Sequence, residues 1–112
     1  KAGPFGATAP GISTFDSFLP SMLQLVEAGH LDLMRAIDAA AVQPARVIGN
    51  ASASLGVDAL ADICIFSPGE LWTLSADTMM SSGKNTPLLG RSMKGRVLAT
   101  LVGGRIVFER KA

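Results

Sequence analysis

The dipeptide Gly103-Gly104 separates two β-rich runs, residues 96–102 and 105–109. Two such runs joined by a two-residue glycine link predict an antiparallel hairpin. The tightest hairpin turns need positive φ at their central residues, and glycine adopts it without steric cost. Arg96, Arg105, Arg110 and Lys111 lie at the ends of the runs, where charge protects sheet edges from pairing with other chains. The hairpin is entered through a polar loop, Lys84-Asn85-Thr86-Pro87-Leu88-Leu89-Gly90. Lys84, Asn85 and Thr86 can all donate hydrogen bonds. Pro87 restricts the backbone, and Gly90 and Gly95 permit turns that other residues resist.

Upstream, the pattern is helical. Phe15, Phe18, Leu19, Met22, Leu23 and Val26 recur at helical spacing. Asp16 is a plausible N-cap, with Thr14 as its rival, which places Pro20 in the first turn and Gly29 at the stop. Asp32 is expected to cap a second helix that buries Leu33, Met34, Ile37, Ala40 and Ala41 and points Arg35 and Asp38 outward. Gln43-Pro44 closes that helix and opens a third, with Pro44 at its first position, Val47 and Ile48 inward and Gly49 at its end. Arg46 reads as a structural anchor. Residues 63–66 form a short apolar strand expected to be covered on both faces, and residues 72–74 another. Ser75 or Asp77 caps a single helical turn through Met80.

The chain has 112 residues, 48% of them hydrophobic, with a formal net charge of +1. That is one domain's length with ample apolar material for a core. The balanced charge argues against a nucleic-acid partner. No apolar run approaches the roughly 20 residues of a membrane span. Cys64 is the single cysteine, so no internal disulfide forms, and a reducing, cytoplasmic setting is expected. Within its strand it reads as a small hydrophobe, not a nucleophile. His30, far from Cys64 in sequence, reads as a surface residue, and the two make no self-contained zinc site. The residues supply no Walker-type loop, no paired-cysteine motif and no nucleophile elbow. The chain starts at Lys1 without Met, on a coil rich in Gly, Pro and Ala, so a piece of a longer protein is expected.

Four motifs, in order, resemble one family. Ala9-Pro10-Gly11-Ile12, followed by a helix carrying Leu19-Pro20, is similar to the loop and last barrel helix of dihydroorotases. Gln43-Pro44-Ala45-Arg46-Val47-Ile48-Gly49 resembles the NPARILGL segment of dihydroorotases, hydantoinases and allantoinases. Ser54-Leu55, with Ala61-Asp62-Ile63-Cys64-Ile65-Phe66, resembles the GSLxxGxxADLVLFD stretch where amidohydrolases return to their small β domain. Gly83-Lys84-Asn85-Thr86-Pro87-Leu88-Leu89-Gly90, with Gly95-Arg96-Val97 and the Gly-Gly hairpin, is most like dihydroorotase in particular.

The resemblance implies an α/β protein: the C-terminal part of a (β/α)₈ TIM-barrel amidohydrolase plus part of its small β-sandwich. Residues 1–50 would carry the substrate loop and last barrel helices, and residues 51–112 the sandwich portion. The implied reaction interconverts N-carbamoyl-L-aspartate and L-dihydroorotate in pyrimidine biosynthesis through a metal-bound hydroxide. One or two zinc ions per barrel are implied, with ligands upstream of Lys1, so the segment holds no metal ligand and no catalytic residue. The backbone of Pro10 and Gly11 is the implied substrate contact. The implied partners are the rest of the barrel, in the same or a second polypeptide, a second copy in a homodimer, and aspartate carbamoyltransferase. Alone, the segment is expected to be inactive, since about 250 residues is typical of a closed barrel.

The sequence also departs from the family pattern. Thr14-Phe15-Asp16-Ser17 stands where active dihydroorotases commonly read Gly-Leu-Glu-Thr, and Asp58 stands where a glycine is usual. A non-catalytic homologue that scaffolds aspartate carbamoyltransferase is one alternative, separated by the upstream metal ligands. A hydantoinase or allantoinase is another, against which the Asn-Thr-Pro loop argues. A small independent α+β binding domain is the third.

Overall fold

The structure, a computed structural model, describes residues 3–8, 10–50 and 54–110. Helices occupy the first half and a three-stranded sheet the second. Of the residues singled out above, Lys1, Ala9 and Lys111 lie outside the described residues.

The first long helix, α1, spans Phe15–Glu27. Thr14, not Asp16, precedes it, and the Thr14 side chain makes no capping bond. Asp16 falls inside the first turn because its carboxylate is engaged by a distant loop. Starting the helix two residues earlier than an Asp16 cap would moves Pro20 into the second turn, where it cannot donate to the Asp16 carbonyl. The buried positions are Ser17, Pro20 and Leu23, at helical spacing. Phe15 and Phe18, whose helical spacing with Leu19, Met22, Leu23 and Val26 marks an apolar core-facing stripe in the sequence, are 91% and 56% exposed. Gly29 ends the helix as expected: at φ +76° its N–H donates to Val26 O and the His30 N–H to Leu25 O, the paired bonds of a Schellman motif.

Asp32 caps the next helix, its Oδ1 accepting from Arg35 N at 2.8 Å. This helix runs as α2 (Leu33–Ile37), a π turn (Asp38–Val42) and α3 (Gln43–Val47). The expected break at Gln43-Pro44 is therefore a widened turn. Gln43 N–H reaches back five residues to Asp38 O, and the wider register accommodates a proline that has no N–H to offer. Ala36 and Ala45 are the buried residues. The expected inward residues Met34, Val47 and Ile48 are exposed at 74%, 85% and 76%. Ala41 and Leu33 are also exposed. Arg35 pairs with Asp38 at 2.6 Å on the outer face, and Arg46 is exposed. Gly49, at φ +70°, closes the helix with a second Schellman pair.

The sheet has the order β1 (Ile63–Thr73), β2 (Ser92–Val102), β3 (Arg105–Glu109), antiparallel throughout. The two short strands expected at 63–66 and 72–74 are one strand of eleven residues. Ser67 pairs with Arg96 and Leu71 with Lys94, so residues 68–70 bulge opposite Gly95 alone. A bulge is where a strand tolerates Pro68, whose missing donor would break a regular ladder. Cys64 and Ile65 are exposed, which corrects the expectation of a strand covered on both faces. Among the described residues the helix that packs on the sheet, α1, lies over β2 rather than β1.

The hairpin forms as expected, with Gly103 and Gly104 at φ +54° and +78°. Its turn is fastened to the residues ahead of β1. Gly103 N donates to Asp62 Oδ1 at 2.8 Å, and Gly104 N to Ala61 O at 3.0 Å. The Ala-Asp pair of the motif thus registers the hairpin against β1.

Leu74, Met79 and Met93 form the core cluster, with Trp72 and Leu88 packed against it. Leu74 is fully buried and its backbone is tied to Gly90 and Arg91. Ser75 orders the turn that follows, its Oγ accepting from Thr78 N, with no helix formed.

Candidate functional site

Two loops meet beside the start of α1: residues 10–14, and residues 79–86 between β1 and β2. Asp16 joins them from the helix. Its Oδ1 accepts from Met80 N at 2.8 Å, and its Oδ2 from Ser81 Oγ at 2.5 Å and Ser81 N at 3.4 Å. Partial burial pushes this carboxyl up, but the hydrogen bonds from Ser81 and Met80 outweigh it and hold it below the ordinary value. A carboxylate so occupied is a clamp rather than a general base.

Further along, Asn85 grips the loop that carries Gly11. Asn85 Nδ2 donates to Gly11 O at 2.9 Å, and Ser13 N donates to Asn85 O at 2.7 Å. The approach is close at Gly83 also, where a Cβ would stand 2.6 Å from Ser13 Oγ. Lys84 Nζ reaches back to Met79 O at 2.8 Å. Thr86 is buried, and its Oγ1 accepts from Leu88 N. Lys84 and Asn85, two of the donors read from the sequence, are thus turned onto the protein's own backbone, while the Thr86 hydroxyl serves as an acceptor.

Pro10 and Gly11 are exposed on the surface of this junction. Gly11 has φ +63°, a conformation that favours glycine. The contact that sequence reasoning missed is the one from Asp16 to residues 80 and 81. Sixty-four positions separate Asp16 from Met80, and no local pattern signals such a pairing.

Below the clamp, a groove of ≈ 490 Å³ runs between α1 and the sheet. Leu19, Pro20, Trp72, Val97 and Phe108 form its apolar lining. Arg96 and Arg110 stand at its edge and share Glu70: Arg96 at 3.5 Å, and Arg110 in a short charge-assisted hydrogen bond. The Arg110 bond, ahead of the Arg96 charge, holds the Glu70 carboxyl below its ordinary range. Arg96 also lies 5.2 Å from the Trp72 ring centre, and Trp72 Nε1 donates to Gly95 O at 2.8 Å. The arginines expected to be solvated edge charges are therefore partly drawn into a cross-strand pair; Arg105 stays exposed.

Among the described residues no three His, Cys, Asp or Glu side chains group as a metal site requires. His30 is exposed, as read from the sequence. Partial desolvation by its strand neighbours pushes the exposed Cys64 thiol up, away from a reactive thiolate. Asp16 is committed to its clamp and Glu70 to its arginines. The arrangement can hold a loop in place and present its backbone, but it offers no acid–base pair.

This combination of helices, bulged sheet and loop junction has a counterpart in a solved D-hydantoinase, with a TM-score of 0.73, 22% identity, and 81% of this chain aligned to 20% of that one. The fold is thus shared with a segment of that hydantoinase. No family model matches the chain. In sequence the chain is similar to proteins named dihydroorotase. It is 38% identical over 100 residues to that of Aquifex aeolicus (strain VF5), covering 89% of this chain and 24% of the relative. It is 38% identical over 109 residues to that of Syntrophus aciditrophicus (strain SB), covering 97% and 26%. The chain is similar in sequence to a segment of these dihydroorotases, and it spans about a quarter of the length of the curated relatives it matches.

Proposed function

We propose that this chain is the C-terminal part of a dihydroorotase, a cyclic amidohydrolase of pyrimidine biosynthesis that interconverts N-carbamoyl-L-aspartate and L-dihydroorotate. The supporting observation is the similarity to dihydroorotases over nine-tenths of the chain. In this reading residues 1–50 carry the substrate loop and last barrel helices, and residues 51–112 belong to the small β-sandwich. The Pro10–Gly11 backbone contacts the substrate, where the absence of a Gly11 side chain permits close approach.

The described residues do not fit zinc, because they bring no ligand set together. Zinc, one or two ions per barrel, belongs in this proposal to the remainder of the protein. The segment alone is inactive in this reading. Its partners are the rest of the barrel and a second copy, in the cytoplasm, and none of the described helices is long and apolar enough to cross a membrane. A scaffold for aspartate carbamoyltransferase is not favoured, since the relatives carry the enzyme's name.

The test is turnover by the longer polypeptide that carries this segment, offered dihydroorotate and hydantoin in parallel. Dihydroorotate should be hydrolysed at least about a hundredfold more efficiently, the scale of about 2.7 kcal/mol in differential transition-state binding. Preference for hydantoin would replace this reading with a hydantoinase, and turnover of neither would favour the scaffold.

A further inference from the structure

We propose that Asn85 is a positioning residue that sets the conformation of the Pro10–Gly11 loop for substrate. The inference rests on the reading above, in which that loop contacts substrate.

Three observations carry it. First, the Asn85 amide and carbonyl bracket the loop: Nδ2 holds Gly11 O at 2.9 Å and the backbone O holds Ser13 N at 2.7 Å. The two bonds span Ile12, so they fix the direction in which residues 10–13 enter α1. Second, Asn85 is itself held. Thr86 is buried, Thr86 N donates to Lys84 O, and Lys84 Nζ is anchored to Met79 O. Asp16 fastens Met80 and Ser81 to the same helix that the loop feeds. Residues 79–86 thus form a strap with one end clamped on α1 and the other on the loop. Third, the side-chain bond goes to Gly11, a residue in the left-handed region whose conformation sequence alone leaves open.

An asparagine suits this place because it donates from a short side chain to a carbonyl. Aspartate has the same shape and no donor, and would set a charge against the Gly11 carbonyl. Exposed as it is, the side-chain bond gives little net stability, so its removal acts on the loop's geometry more than on the fold.

The test compares the longer polypeptide with its Asn85→Asp and Asn85→Ser variants, the second retaining a short donor. Asn85→Asp should raise KM for dihydroorotate about tenfold, leave kcat within about twofold and keep the thermal midpoint within about 2 °C. Amide exchange at residues 10–14 should quicken in that variant. Asn85→Ser should recover part of the KM. An active wild type with unchanged KM in Asn85→Asp overturns this inference alone. A fall in kcat and thermal midpoint together, without a KM change, also overturns it and makes Asn85 a folding contact. A wild type inactive on dihydroorotate overturns the functional reading, and this inference with it.

Discussion

Asp58 shows how one substitution in a familiar motif is absorbed. It occupies the position where glycine is usual, and it adopts φ +63°, the one non-glycine with positive φ among the described residues. Aspartate tolerates this region better than most residues, yet still carries a steric cost. Asp58→Gly should therefore stabilise the fold by about 0.5 kcal/mol, net of glycine's greater freedom when unfolded, as read by chemical denaturation. Asp16 is the second telling residue. Its hydrogen bonds lower its pKa in the folded state, so its contribution is present above the unfolded value and is lost as pH falls through the folded one. Asp16→Asn should weaken the protein near neutral pH and flatten its loss of stability as pH falls through and below the ordinary carboxylate range. A pH series of melting curves on both proteins measures the difference.

The elements show where a one-dimensional reading succeeds. Gly103-Gly104 announced its hairpin because turn chemistry is local. The glycine stops at Gly29 and Gly49 and the Asp32 cap were legible for the same reason. The faces of the helices were not. Phe15, Phe18, Val47 and Ile48 have the spacing of core residues and lie exposed, because periodicity marks an apolar face without supplying the surface that covers it. Pro68-Gly69 ordinarily end a strand, so the sequence reads as two strands there, and the compensating bulge depends on the partner strand. Gly95 is that partner. It is buried at φ +98°, and a Cβ there would overlap Leu23 Cδ1 where α1 crosses the sheet. Gly95→Ala should cost about 2 kcal/mol through backbone strain and displaced helix packing. Gly104→Val should cost about 1–2 kcal/mol at the turn, while Gly103→Asn should stay within about 0.5 kcal/mol because asparagine tolerates positive φ. Denaturation midpoints of the three variants rank these effects.

At the scale of the molecule, the site was legible only through resemblance. Pro10 and Gly11 have no chemistry that composition could flag, and the Asp16 and Asn85 contacts join residues more than sixty positions apart. The core of Leu74, Met79 and Met93 is small for 112 residues, while large apolar side chains lie exposed on the helices and strands alike. These surfaces agree with a chain that spans a quarter of its relatives' length. In our proposal they face the rest of an amidohydrolase. Dihydroorotate turnover, assayed on the longer polypeptide and separately on the 112-residue chain, decides whether this segment belongs to a dihydroorotase and needs the rest of it. Conversion to N-carbamoyl-L-aspartate is expected from the first and none above background from the second. Turnover by the isolated chain, or its absence from the longer protein, would contradict the proposal.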